Sequence, residues 1–497
     1  MPRNSLCLVG IVLGLSGCAL TTSETRSSPS VVDREVARAQ HLESLKAPIV
    51  PASYSQVEAE EIDAAGEDGE PYALSLGNVL YLADEQNPNL AAAYERINEA
   101  YARVDRAKTL WLPSLRAGLN YNHHEGAIQD VAGKVFNTSR SSFYGGMGAQ
   151  AVGAGSPAVP GIVAQFHLTD AVFLPRIAAH QASARQYGAT AVRNDTLRDA
   201  AVAYLELVRA ERALAIAKEA RRNTDQLAEL TRKYAETGAG LQADHQRLEA
   251  ELALRDEEQL ARQESVKVAS ARLAQLLNAD PSVKIETDEP TVAPLDIIEL
   301  DDGPAAYVAT GLSRRPELAE QRHLVSAAVE RLQREKFAPL IPSVLLGMSY
   351  GGLGGGYGSS IVNTDDRWDA DAAAFWEVRN LGFGERASRD EFGSQARQAE
   401  LQQVAIMDRV SREVVEAHSQ VTMRRERIAA STRGVEAAGK SYELNLQRIE
   451  NAQGLPIETL QSIQALANAQ RAYLNAVIDY NIAQFDLSRA IGWFEEE

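Results

Sequence analysis

The sequence predicts a mainly α fold with a minor set of membrane-type β-strands, built from one unit used twice. Three observations predict it. Ala is abundant and aromatics make up only 6% of the chain, which suits long, closely packed helices better than a bulky globular core. Two stretches of the chain repeat the same order of patterns. Each repeat sets short period-two segments beside helical runs longer than any ordinary domain needs.

The first residues bear on compartment. "MPRN" carries Arg3, "SLCLVGIVLGL" is a short apolar run, and "LSGC" is followed by polar "TTSETRSSPS". This is the pattern of a secretory signal peptide over 1–17, with an apolar run too short to span a bilayer. "LSGC" has the form of a bacterial lipobox, so Cys18 is the candidate lipid-carrying residue; the alternative is a signal cut elsewhere, with Cys18 incidental. The only other cysteine, Cys7, would leave with the signal, so no disulfide is expected. No other apolar run reaches transmembrane-helix length, and any membrane span is therefore made of strands. The formal net charge of −18, with no basic stretch, argues against nucleic acid as a partner.

The repeats run over 76–278 and 315–492. "NPNLAAAYERINEAYARVDRAKTLWLPSL" from Asn87 matches "RPELAEQRHLVSAAVERLQREKFAPLIPSV" from Arg315. "TLRDAAVAYLELVRAERALAIA" from Thr196 matches "VSREVVEAHSQVTMRRERIAAS" from Val410, at an offset of 214 residues. The same offset sets Gly240 on Gly454 and "LAQLLN" on "LSRAIG". Each unit reads as a helix, two alternating segments, a very long helix, a Gly break and a second long helix. The first long helix, Arg176 to Ala235, measures about 90 Å at 1.5 Å per residue and needs partners along its length.

The alternating segments fall at about 115–123, 161–169, 343–350 and 368–378. In "RAGLNYNH", Ala117, Leu119 and Tyr121 oppose Asn120 and Asn122. In "SVLLGMSY", Val344, Leu346, Met348 and Tyr350 oppose Ser343, Gly347 and Ser349. The pattern fits a lipid-facing wall with a wetter inner side, and equally a half-buried soluble strand. Four strands cannot close a membrane barrel, and open edges are not tolerated in hydrocarbon. If these strands span a membrane, several chains build the barrel together.

On "NPNL" and "RPEL", "WLPSL" and "APLIPSV", "NLGFGER", and the breaks "TGAGLQAD" and "AQGLPIET", the duplicated unit resembles the outer-membrane efflux proteins of the TolC family. The resemblance implies a homotrimer with one twelve-stranded barrel continuous with a twelve-helix periplasmic tunnel. It implies the exit duct of a tripartite efflux or secretion system, with an inner-membrane pump and a periplasmic adaptor as partners. It also places the acidic, Pro-containing segment 279–314, and part of 18–75, in a belt around the tunnel. The competing reading is a lipid-anchored periplasmic coiled-coil tether without a pore.

No enzyme site, metal site or cofactor is expected beyond lipid on Cys18. "HHEGA" at 123–127 lacks the second His of a zinc-protease motif and reads as outer loop. "GGLGGGYG" at 351–358 fails the phosphate-loop spacing and also reads as loop. Asp244 and Glu458, equivalent at the 214 offset, each lie four residues past the Gly of a break. There an acid favours a helix N-terminus. By the resemblance, the breaks are periplasmic tips where rings of acids narrow the tunnel, with Ile457 as an apolar alternative. The resemblance also makes Gly238, Gly240, Leu241, Gly454 and Leu455 the candidate contacts of the adaptor.

Overall fold

The computed structural model describes residues 72–492, except 148–161 and the single positions 239, 290, 301 and 452. The signal segment, Cys18 and the stretch up to residue 71 lie outside the described residues, as does 493–497.

After β1 (Tyr72–Leu74), the first repeat comprises α1 (Leu76–Gln86), α2 (Pro88–Lys108), β2 (Ser114–Leu115), β3 (Ala117–Gln129), β4 (Val135–Met147), β5 (Ile162–His167), α3 (Leu168–Glu236) and α4 (Gln242–Leu276). After β6 (Ile285–Thr287) and α5 (Pro304–Arg314) come α6 (Pro316–Phe337), β7 (Ser343–Tyr357), β8 (Asn363–Phe375), α7 (Phe383–Glu450) and α8 (Pro456–Ile491).

The helices form one wall. α3 touches α2 and α4 on one side and α6 and α8 on the other; α6 and α8 in turn touch α7. The "NPNL" signature explains one joint. Asn87 Oδ1 accepts the Asn89 N–H at 2.9 Å, capping α2, and Asn87 Nδ2 donates to the Leu276 carbonyl at 2.9 Å, closing α4. One side chain thus stacks α2 on α4. In the second repeat Arg315 stands at this position, 3% exposed, and pairs with Glu317 and Glu413.

The strands are longer than the alternation predicts, and one more segment joins them. β3 continues to Gln129, β7 to Tyr357, and β8 runs from Asn363 to Phe375. "HHEGA" and all but the last residue of "GGLGGGYG" are therefore strand, not loop. β4 and β5 lie end to end along β7: Met348 pairs with Ile162, and two residues on, Tyr350 pairs with Met147. The sheet is thus four strands wide and antiparallel, β2 with β3, then β5 with β4, then β7, then β8. Glycine makes the β4–β7 seam: a Cβ on Gly146 would sit 2.6 Å from the Gly351 Cα. Turn-like composition hid this half of the strands.

The register keeps the predicted faces intact. Tyr121 pairs with Phe143, Met348 with both Ile162 and Ala370, and Tyr350 with both Met147 and Trp368. Leu119, Tyr121, Leu346, Met348, Tyr350 and Trp368 are all exposed on that face. The other face carries Asn120, Asn122, Ser349, Arg367 and Asp369, with Arg367 Nε 2.9 Å from Asp369 Oδ2. Among the described residues no helix is long and apolar enough to cross a membrane.

A belt packs on one face of the helical wall. β1 and β6 pair in parallel. The Tyr204 hydroxyl donates to the Leu74 carbonyl at 3.2 Å, and Glu211 accepts the Thr287 N–H at 3.2 Å and its hydroxyl at 2.5 Å. Asn481 accepts the Leu295 N–H at 2.8 Å, and Gln484 accepts the Ile298 N–H at 3.0 Å. These buried and half-buried side chains give the irregular segment the backbone partners it lacks. Burial pushes the Glu211 carboxyl upward, against the hydrogen bonds of Thr287.

Candidate functional site

Two features of the wall bear on function: its open edges and its hairpin tips. α8 lies between α3 and α7 and buries 18 of its 36 residues, whereas α4, its counterpart in the first repeat, buries 4 of 35. The outer side of α7 is likewise bare, with Leu401, Val404, Met407, Val415 and Met423 exposed. Among the described residues, β3 and β8 end the sheet with unpaired edges. The helical wall and the sheet therefore stop at the same two boundaries, one in each repeat.

At the tips the return helices α4 and α8 start on equivalent residues. Leu241 and Leu455 are their N-caps, both extended in backbone and 68% and 59% exposed. Gly238 takes φ +73° at the first turn. Gly240 and Gly454 are needed for a close approach, but to their own chain. A Cβ would lie 3.1 Å from Tyr234 Cβ in one and 3.0 Å from Ile449 N in the other. At these two glycines the space lies against the preceding helix turn of the same chain, whereas a Cβ on Gly238 would meet nothing within 4 Å. Among the described residues of the tips, Leu241 and Leu455 are the large apolar side chains left exposed.

Asp244 and Glu458 each sit in the first turn of a return helix, where the helix dipole favours an acid. Their partners differ. Glu458 Oε2 lies 3.1 Å from Arg448 Nη1 across the turn, a charge contact that leaves this oxygen without an aligned hydrogen bond. Among the described residues, Asp244 pairs with Arg247 of its own helix, at 3.9 Å. Ile457 is half-buried and packs against a cluster containing Leu227, Leu248, Ile449 and Leu460.

Sequence reasoning missed the residue that joins the tips. The Tyr234 hydroxyl donates to the Ile449 carbonyl at 2.9 Å, tying the end of α3 to the end of α7. The repeat offset contained the signal, since Tyr234 aligns with Arg448: at one position the two units carry different long polar side chains. Higher up, α4 and α8 reach across small residues of α3. Gln464 donates to Glu251 at 2.9 Å, and Arg471 pairs with Glu258. The buried Ala217, Ala220 and Thr224 of α3 leave room below such a bridge.

No family model and no curated protein matches this chain in sequence. Solved structures do match in fold. The outer-membrane channel OprN superposes with a TM-score of 0.69 at 19% identity, over 84% of this chain and 89% of that one. The CmeC outer-membrane channel of Campylobacter jejuni gives 0.70 at 15% identity, over 84% and 85%. The outer-membrane protein VceC of Vibrio cholerae gives 0.67 at 17% identity, over 84% and 96%. The fold is that of these outer-membrane channels, as the duplicated unit led one to expect.

Proposed function

We propose that this chain is the outer-membrane exit duct of a tripartite efflux or secretion system, formed by three copies and passing solutes without reacting with them. One observation carries the reading: the sheet, apolar and exposed on one face and polar on the other, ends in open edges at the same boundaries as the helical wall. Open edges in hydrocarbon are untenable, and further copies of the chain would close sheet and wall together. Three copies give twelve strands and twelve helices across any lower section. The belt then lies outside, and the opposite face of the wall lines a lumen.

In this reading Cys18 carries the lipid, and the tips meet the periplasmic adaptor through Leu241 and Leu455. Asp244 and Glu458 set the charge of the aperture, with Ile457 behind them, and the Tyr234–Ile449 hydrogen bond holds the tips together. A tether would need no amphipathic four-stranded sheet. Energy would come from an inner-membrane pump. The test is conductance of the purified oligomer in a planar bilayer: the duct conducts, and folded oligomers that stay silent overturn it. Replacing Asp244 and Glu458 together by Ala should lower cation preference; unchanged selectivity would remove the aperture assignment and leave the duct.

A further inference from the structure

High on the wall, a groove of about 530 Å³ runs over α3 between α2, α6 and the start of α7. Its floor is apolar, with Leu174, Ile177 and Phe392. Its charged lining is all of one sign: Arg103, Arg106, Arg331 and Arg334. That is unexpected in a chain of net charge −18.

The four guanidinium groups divide into two kinds. Arg103 pairs with Glu99 at 2.5 Å, and Arg334 with Asp170 and Glu335, each at 2.6 Å. Among the described residues no ion pair engages Arg106 or Arg331. Arg106 is exposed and Arg331 half-buried, so both are within reach of a solute. A guanidinium presents a fork of donors matched to a carboxylate, sulfonate or phosphate group. The apolar floor beside it would cover a hydrocarbon or aromatic body, and the volume is that of a small-molecule site.

The groove also has a side. Along α3, Leu174, Ile177 and Gln181 of the groove continue at helical spacing through Arg185, Asp195, Asp199 and Glu206, all of which line hollows of the wall. Tyr204 and Glu211, on another stripe of the same helix, hold the belt. The i, i+3, i+4, i+7 progression therefore carries one face past the belt on its opposite side.

We propose that this groove binds amphipathic organic anions, one anionic head on an apolar body, as they pass through the duct. The lumenal placement rests on the reading of the chain as a duct; the binding itself does not. The occupant is a passing solute, since a groove on the face away from the belt would be closed to bilayer lipid in the assembled ring.

Titration calorimetry of the full-length oligomer in a non-ionic maltoside tests it, with octanesulfonate as probe. Octanesulfonate should bind, while ethanesulfonate, which lacks the tail, and octyltrimethylammonium, which reverses the charge, should not. R106Q together with R331Q should weaken binding about tenfold or more, the cost of two charge-assisted contacts, and R106K with R331K should retain most of it. Equal binding by wild type and the Gln variant overturns the proposal. So does acidic phospholipid that co-purifies with wild type and is lost from the Gln variant, which would make the groove a lipid site. Protein that conducts but does not bind octanesulfonate refutes the groove alone. Protein that binds it but never conducts keeps the groove and refutes the duct.

Discussion

Leu260 of α4 and Leu474 of α8 occupy the same position in the two units, yet Leu260 is 64% exposed and Leu474 is 5% exposed. The chemistry is the same and the neighbours differ. α8 packs along a long helix on each side, α3 and α7; α4 packs along α3 and meets α8 only through side chains such as Glu251 and Glu258. A duplicated unit that is satisfied in one copy and bare in the other describes a wall cut at a repeat boundary. The neighbour missing from α4 is the counterpart of the α3 that flanks α8, and the bare side of α7 can supply it from another copy.

The largest effect should come from breaking that symmetry at its open end. Leu260→Glu should abolish assembly while leaving a helical monomer, as read by light scattering and circular dichroism. An assembly that tolerates this charge would mean that the α4 face stays in water. The next effect lies at the helix joints. Arg315→Ala takes the most buried partner from Glu317 and Glu413, which keep Arg489, and should cost about 3 kcal/mol in denaturant unfolding, whereas Asn87→Ala loses a cap worth about 1 kcal/mol. Equal losses would mean that the two joints are interchangeable.

The Arg315 joint also has a pH signature. Burial raises the Glu317 carboxyl, but the hydrogen bond and charge of Arg315 outweigh it and hold Glu317 below the ordinary carboxylate range. A depressed folded-state value gives stability that is present above the unfolded-state pKa, about 4.3. That stability is lost as pH falls through the folded value. Arg315→Ala should shrink this acid-range dependence, with the backbone hydrogen bond and Arg489 keeping the remainder. An intermediate effect is expected at the covered end: Leu474→Ala should cost about 2–5 kcal/mol whether or not the chain is assembled, and Leu260→Ala should be costly only in the assembly. The smallest is Tyr234→Phe, about 1 kcal/mol for one hydrogen bond, detected as more frequent opening in single-channel records.

Much of this comparison was legible before the structure. The 214-residue offset and the helical periodicity located both hairpins, and period-two alternation found the apolar faces. What stayed hidden has physical reasons. β4 is polar and glycine-rich, with Gly145 and Gly146 where side chains would mark alternation, so it reads as loop. The outer half of β7 failed for the same reason. At the tips the sequence named the acids but not their partners. Arg448 meets Glu458 across a turn and Tyr234 meets a backbone carbonyl of the other repeat. Neither spacing is periodic, so neither leaves a pattern in the chain.

The measurement that bears most directly on the central claim is thiol accessibility at one position in two states. Leu260→Cys, labelled with a maleimide, should react readily in dissociated monomer and be protected in the intact assembly to the level of Leu474→Cys. Equal, rapid labelling of Leu260→Cys in both states would show that no second copy covers α4, and the account of a wall completed by its own repeats would be contradicted.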